Sequence, residues 1–217
     1  MTQHHPDTHT LMEYSAGNLS EPYALCIRLH LDQCAHCRSQ VDTLDSLGAV
    51  MMESQPSADV NDDMFERILG RIDTETATDL EVHTEPKVRT AYSNALERML
   101  ESDINDLPWK RQLADVSVMD ITHLFPDQHD RVVLQKLTAG GKALEHTHRG
   151  RETTLVLQGA FADNNGVFGQ WDFVTLDNHD THKPVALEGD DCITLSVLTA
   201  PLKLTGTFSR VLNPFIR

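Results

Sequence analysis

Residues 140–159, GGKALEHTHRGRETTLVLQG, concentrate the groups best able to do chemistry. His146 and His148 are two residues apart, and in a strand side chains at i and i+2 leave the same face. Two imidazoles on one face can share a metal ion. Glu152 follows Arg149-Gly150-Arg151, where the glycine permits a turn. Two histidines and a carboxylate at this spacing suit a divalent transition metal. A third histidine is expected from a later strand. His179 and His182 differ in parity, so an extended strand points only one of them inward. His182 is the expected one: it lies ten residues past Asp172, and Pro184 two residues on marks a strand edge.

A second constellation is His30-x3-Cys34-x2-Cys37. A helix end followed by a turn brings these side chains together, and a C-x2-C loop lets two thiolates grip one ion. Tetrahedral zinc needs a fourth ligand, for which His4, His5, His9 and His36 are candidates. A redox pair, with His36 lowering a thiol pKa, expects a strand before it in a βαβ setting; a helical pattern precedes it here. Cys26 falls on an apolar helix face and reads as core. Cys192, in a strand pattern, also reads as core, with oxidation as its alternative role.

The elements that must carry these residues change character along the chain. Asp7 or Thr8 can cap a first helix that Gly17 ends. Ser20-Glu21-Pro22 opens a second, bearing Leu25 and Leu29. A third carries Val41, Leu44, Leu47 and Met51. A fourth carries Met64, Phe65, Ile68, Leu69 and Ile72, a strongly amphipathic stripe that reads as core or, in part, as a partner surface. Residues 74–90 are polar, acidic and hold Pro86, the composition of a linker. Residues 91–101 suggest one more short helix. From about Leu107 the period becomes two, with strand patterns at 116–118, 132–137, 153–158, 171–176, 193–198 and 202–208. Many short strands with close turns suggest a sandwich or jelly-roll barrel. Alternation nominates Val132, Leu134, Leu155, Leu157, Phe173, Leu195 and Val197 as its core.

The chain has 217 residues and a net charge of −15. Residues 1–105 hold 19 acids and 7 bases, the remainder 14 and 11. So acidic a first half argues against direct binding to nucleic-acid phosphates and suits a partner with a basic surface. No apolar run approaches the roughly 20 residues of a membrane span. The N-terminus lacks a basic region followed by an apolar one, so no secretory signal is visible. The expected compartment is the cytoplasm, where the four cysteines stay reduced.

The pattern G-x5-H-x-H-x3-E-x6-G, at Gly140, His146, His148, Glu152 and Gly159, resembles the first cupin motif in full. The second motif is weaker: its early glycine is replaced around Gln170-Trp171-Asp172, and its P-x-G turn reads Leu176-Asp177-Asn178. Upstream, Leu11, Tyr14, Ala16, Gly17 and Leu19, followed by the stretch from His30 to Arg38, resemble the zinc-binding anti-sigma domain. Together the two halves resemble the ChrR family of anti-sigma factors. That resemblance implies an α+β multidomain protein. Residues 1–78 would form a four-helix zinc-binding anti-sigma domain, 79–105 a linker, and 106–217 an all-β cupin, a jelly-roll barrel. It implies zinc on His5, His30, Cys34 and Cys37, and a second divalent metal, zinc first among the options, on His146, His148, Glu152 and His182. It also implies a cytoplasmic regulator rather than an enzyme, one that binds an extracytoplasmic-function sigma factor 1:1 and releases it when the cupin senses singlet oxygen or peroxides. A metal-dependent cupin enzyme with a helical appendage is the rival, and a DNA-binding zinc domain a third reading.

Overall fold

The computed structural model describes residues 2–59, 61, 63–74 and 94–206. Three helices open the chain: α1 (Thr8–Ser15), α2 (Glu21–Gln33) and α3 (Ala35–Glu53). Asp7 caps α1, its carboxylate accepting from the Thr10 N–H at 2.7 Å. Gly17 ends it in the left-handed region at φ 71°, where a side chain would be strained. Ser20 precedes α2 with Pro22 in the first turn, but its hydroxyl donates to Asp130 at 3.1 Å instead of capping the helix. Helix α4 (Met64–Thr74) follows, and α5 (Ala95–Leu100) is capped by Asn94.

The strands are β1 (Lys110–Arg111), β2 (Val116–Asp120), β3 (Arg131–Leu137), β4 (His146–His148), β5 (Glu152–Gln158) and β6 (Phe161–Asp163). They continue with β7 (Gly166–Phe168), β8 (Phe173–Leu176), β9 (Thr181–His182), β10 (Val185–Ala186), β11 (Cys192–Leu198) and β12 (Leu202–Leu204). They form a six-stranded sheet in the order β1-β2-β3-β11-β5-β8 and two three-stranded sheets, β10-β6-β7 and β12-β4-β9. Every pairing is antiparallel. The expected strand at 202–208 is present as β12; residues 207 and 208 lie outside those described.

The central strands of the six-stranded sheet, β3, β11 and β5, are largely buried on both faces, and side-chain parity sorts the two. Val132, Leu134, Leu155, Leu157, Phe173, Leu195 and Val197 share one hydrophobic cluster with Leu11, Tyr23, Ile27, Leu29 and Val41 of α1–α3. The residues nominated as barrel core are therefore buried under the helices. The opposite face, which includes Glu152, Thr154, Cys192, Thr194 and Ser196, lines a cavity together with His146 and His182. Alternation identifies which residues share a face, but not what covers that face.

This shared core joins the helical and β parts directly, which a reading of two folds held apart by a linker did not anticipate. Of the segment read as linker, residues 79–93 lie outside those described. The rest is packed: Leu96 of α5 and Ile104 are buried in the same cluster, and α5 lies against α2. Helix α4 differs. Its stripe is exposed, with Phe65 at 66% and Ile72 at 62%. The last turns of α3 likewise expose Leu47, Val50, Met51 and Met52.

Truncating Leu96 to Ala removes a fully buried side chain and should destabilise the protein by about 2–5 kcal/mol. In a urea titration, tryptophan fluorescence and helical circular dichroism should shift together. Two separate transitions would show that helices and barrel do not unfold as one unit.

Candidate metal centres

The first centre is built where α2 meets α3. Cys34 ends α2 and begins α3, and its sulfur accepts from the Cys37 N–H at 3.5 Å. This turn presents both thiols one step apart. His30 lies one helical turn before Cys34, fully buried. His5 arrives from the N-terminal segment. Its Nδ1 lies 3.4 Å from His30 Nε2, 3.4 Å from Cys34 Sγ and 3.5 Å from Cys37 Sγ. His30 Nε2 is 3.3 Å from Cys37 Sγ. A tetrahedral ion with bonds of about 2.0–2.3 Å places its ligands roughly 3.3–3.8 Å apart, so this quartet fits one zinc ion.

The thiol electrostatics agree. Burial, reinforced by the neighbouring Cys34, pushes Cys37 up to about 12. At Cys34 burial also acts upward, but the Cys37 backbone N–H and further hydrogen bonds outweigh it and hold this thiol below its ordinary value. One thiolate is favoured and a second is resisted, the situation that a shared cation relieves.

The other candidate histidines are placed elsewhere. His4 lies against Phe168, with ring centroids 4.5 Å apart, and its Nε2 bonds the Val167 carbonyl. His36 lies against the His5 ring, with centroids 5.4 Å apart, but its Nε2 pairs with Gln40 at 3.0 Å; His9 is exposed. Cys26 is core, its thiol pushed up to about 12 by burial.

The second centre lies between β4 and β9. Register places His146 opposite His182, and period-two geometry puts His148 beside them. His182 Nε2 is 2.9 Å from His146 Nε2 and 3.3 Å from His148 Nε2. The three nitrogens converge as ligands of one ion do. The distal nitrogens of two rings are held: His146 Nδ1 donates to the Leu144 carbonyl at 2.7 Å, and His182 Nδ1 pairs with the buried Asp163 carboxylate at 2.8 Å. Fixing Nδ1 leaves the Nε2 lone pair facing the centre. Burial, with His182 adding to it, lowers His146 to about 4, keeping it a neutral donor. His179 sits exposed in the preceding turn.

Glu152 is buried beside this triad. One carboxylate oxygen accepts from Thr154 at 3.1 Å. The other is 2.9 Å from His148 Nδ1 but poorly aligned, so both atoms are buried without a hydrogen bond. Burial alone would raise its pKa; His148 and the other two histidines overcome this and hold it at about 2. The ligand atoms of His146, His148 and His182 gather into one group that no Glu152 oxygen joins; the carboxylate, expected as a fourth ligand, stands instead at His148 Nδ1, on the side of that ring away from the shared Nε2 atoms. Cys192 faces the same cavity, buried, with its thiol pushed up to about 12.

Asp163 escapes a sequence reading because its spacing to His182 carries no motif. Its local signal is that of a turn former: Oδ1 accepts from the N–H groups of Asn165 and Gly166 in the β6–β7 hairpin.

A helical His/Cys module packed on a barrel with its own His cluster defines a cupin-type protein with two groups of side chains able to hold a metal ion. Residues 97–201 match the family model described as the ChrR cupin-like domain. The chain is 30% identical to the anti-sigma-E factor ChrR of Cereibacter sphaeroides, over 99% of this chain and 98% of that protein. It belongs to the ChrR family. The crystal structure of Rhodobacter sphaeroides SigE in complex with the anti-sigma ChrR is similar, with a TM-score of 0.74 and 29% identity. That match covers 91% of this chain and 100% of the other. Among the described residues no helix is long and apolar enough to cross a membrane.

Cys34→Ser or Cys37→Ser should cost the purified protein one metal ion per chain by elemental analysis. Asp163→Asn should leave that ion in place and weaken metal retention in the barrel by about 10–100-fold in a chelator competition.

Proposed function

We propose that this protein is an anti-sigma factor whose helical module binds an extracytoplasmic-function sigma factor 1:1 and blocks its access to RNA polymerase. One observation carries the reading: the apolar stripe of α4, Met64, Phe65, Ile68, Leu69 and Ile72, is left exposed in a chain where α1–α3 are packed on the sheet. Exposed apolar surface on this scale marks a contact face. Leu47, Val50, Met51 and Met52 of α3 are exposed apolar residues as well. The acidic first half adds attraction for a partner that itself binds DNA, hence one with basic surface. The family relative named above is an anti-sigma-E factor.

In this reading zinc on His5, His30, Cys34 and Cys37 holds the short helices in shape. A second divalent ion on His146, His148 and His182, with the Glu152 carboxylate moving in from His148 Nδ1 as the fourth ligand, serves the cupin as a receiver of oxidative signals of the singlet-oxygen or peroxide type. The protein acts in the cytoplasm and turns over no substrate. The cavity lined by His146, Glu152 and His182 is about 40 Å³, room for an ion and a little water, and a more open depression of about 490 Å³ adjoins the cluster at His182 and Asp163.

Co-expression with its cognate sigma factor should yield a stable 1:1 complex and silence the sigma-dependent promoter. Cys34→Ser and Phe65→Asp should each relieve the repression. His146→Ala with His148→Ala should preserve it and blunt the response to singlet oxygen. Full transcription in the presence of the unaltered protein would overturn the reading.

A further inference from the structure

The barrel reaches into the helical metal centre at one short bulge, residues 169–173. Cys34 and Cys37 come from a single helical turn, so their placement is local. The two histidines do not share that advantage: His5 lies on a terminal segment, and His30 must choose which ring nitrogen to protonate. These are the two ligands that the bulge holds.

His30 Nδ1 donates to the Trp171 carbonyl at 2.8 Å. A carbonyl only accepts, so this bond fixes the proton on Nδ1. The Nε2 lone pair is thereby left facing His5 and Cys37. Asp172, 3% exposed, receives the N-terminal segment. Its Oδ1 accepts from the backbone N–H of Gln3 at 2.6 Å and of His4 at 3.1 Å, and its Oδ2 from Gly169 at 2.9 Å. The His4 carbonyl in turn accepts from the Phe173 N–H at 3.1 Å. The residues just before His5 are thus tied to the barrel edge, where a chain terminus would otherwise be poorly ordered.

The bulge is itself held in an uncommon conformation. Trp171 has φ 70°, which costs a non-glycine residue about 1–3 kcal/mol. Val156 of β5 maintains it by bonding on both sides: its carbonyl accepts from Trp171 at 2.7 Å, and its N–H donates to the Asp172 carbonyl at 3.1 Å. Phe173, at the end of the same stretch, also sets its ring edge-on to His30 with centroids 6.3 Å apart, while the Tyr23 ring meets Phe173 and Arg151 lies over Tyr23.

We propose that Asp172 and the Trp171 carbonyl are positioning groups for the helical metal centre, so that the cupin holds His5 and His30 in their binding geometry. The inference rests on reading His5, His30, Cys34 and Cys37 as a zinc site. Strand β5 carries Glu152 at one end and grips the bulge through Val156, so one strand adjoins both centres.

The test uses the full-length, zinc-loaded chain and its Asp172→Asn variant. Zinc release is driven by a chromogenic chelator, and exposure of Cys34 and Cys37 is followed with a thiol reagent to assign the ion to its site. Asp172→Asn should release zinc from the cysteines about 10–100-fold faster, as loss of groups that orient ligands does, while the barrel keeps its metal. Imidazole nitrogen spectra of the unaltered protein should show His30 protonated on Nδ1 and protected from exchange. Unchanged release in the variant, or a His30 protonated on Nε2, would overturn the positioning role while leaving the zinc site standing. Cysteines that react at once in the unaltered, zinc-treated chain would instead sink the metal reading and the proposal with it.

Discussion

The structure depends on a sheet that must be covered on both sides. Strands β3, β5 and β11 carry large aliphatic residues on one parity, and on the other a mixture of Glu152, Thr154, Thr194, Ser196 and Cys192 with the buried Leu137 and Val156. A sheet with an apolar outer face cannot remain in water, and helices α1, α2, α3 and α5 supply the cover. The other parity is then free to be polar and to close around a small ligand-lined cavity. Each half completes the other. The helices lack enough apolar surface among themselves for a core of their own, and the barrel's outer wall lacks a solvent-compatible face.

How much of this was legible in the sequence follows from the range of the signals. Local ones read well: the Asp7 cap, the Gly17 terminus, the C-x2-C turn, and the H-x-H pair with its partner strand. The parity argument that chose His182 over His179 matches the geometry because register and alternation are backbone properties. Long-range signals were silent. Nothing in the spacing of Leu155 and Val197 says that they face α2 rather than a second sheet. The bond from Asp163 to His182 and those from Asp172 to Gln3 and His4 connect residues far apart through ordinary hydrogen bonds, which leave no periodicity. Trp171 is a sharper case. Its position looks like a lost glycine in the second cupin motif, yet the backbone there still adopts the left-handed conformation, held by Val156 and by the packing of the ring.

The exposed and buried apolar residues divide the helical half by task. Leu11, Ile27 and Leu29 are spent on the sheet, whereas Phe65, Ile68 and Ile72 touch little of the chain's own core. The group His5, His30, Cys34 and Cys37 lies where α2 turns into α3, so an ion held there would fix the angle at which α3 leaves the sheet and presents its exposed C-terminal turns. A metal centre so placed governs the direction of a surface rather than the existence of a core. The barrel's His cluster, by contrast, lies inside its own cavity and reaches the rest of the molecule only through strands.

The clamp on the N-terminus also sets an order of events during synthesis. Gln3 and Asp172 are 169 residues apart, and His30 and Trp171 are 141 apart. At roughly 5–20 residues per second, a ribosome needs on the order of 10–30 s after making the first ligand before it makes the groups that hold it. Through that interval the bonds from the barrel to Gln3, His4 and His30 cannot yet form. If the quartet holds zinc as proposed, the barrel can steady its two histidines only once residues 169–173 have emerged.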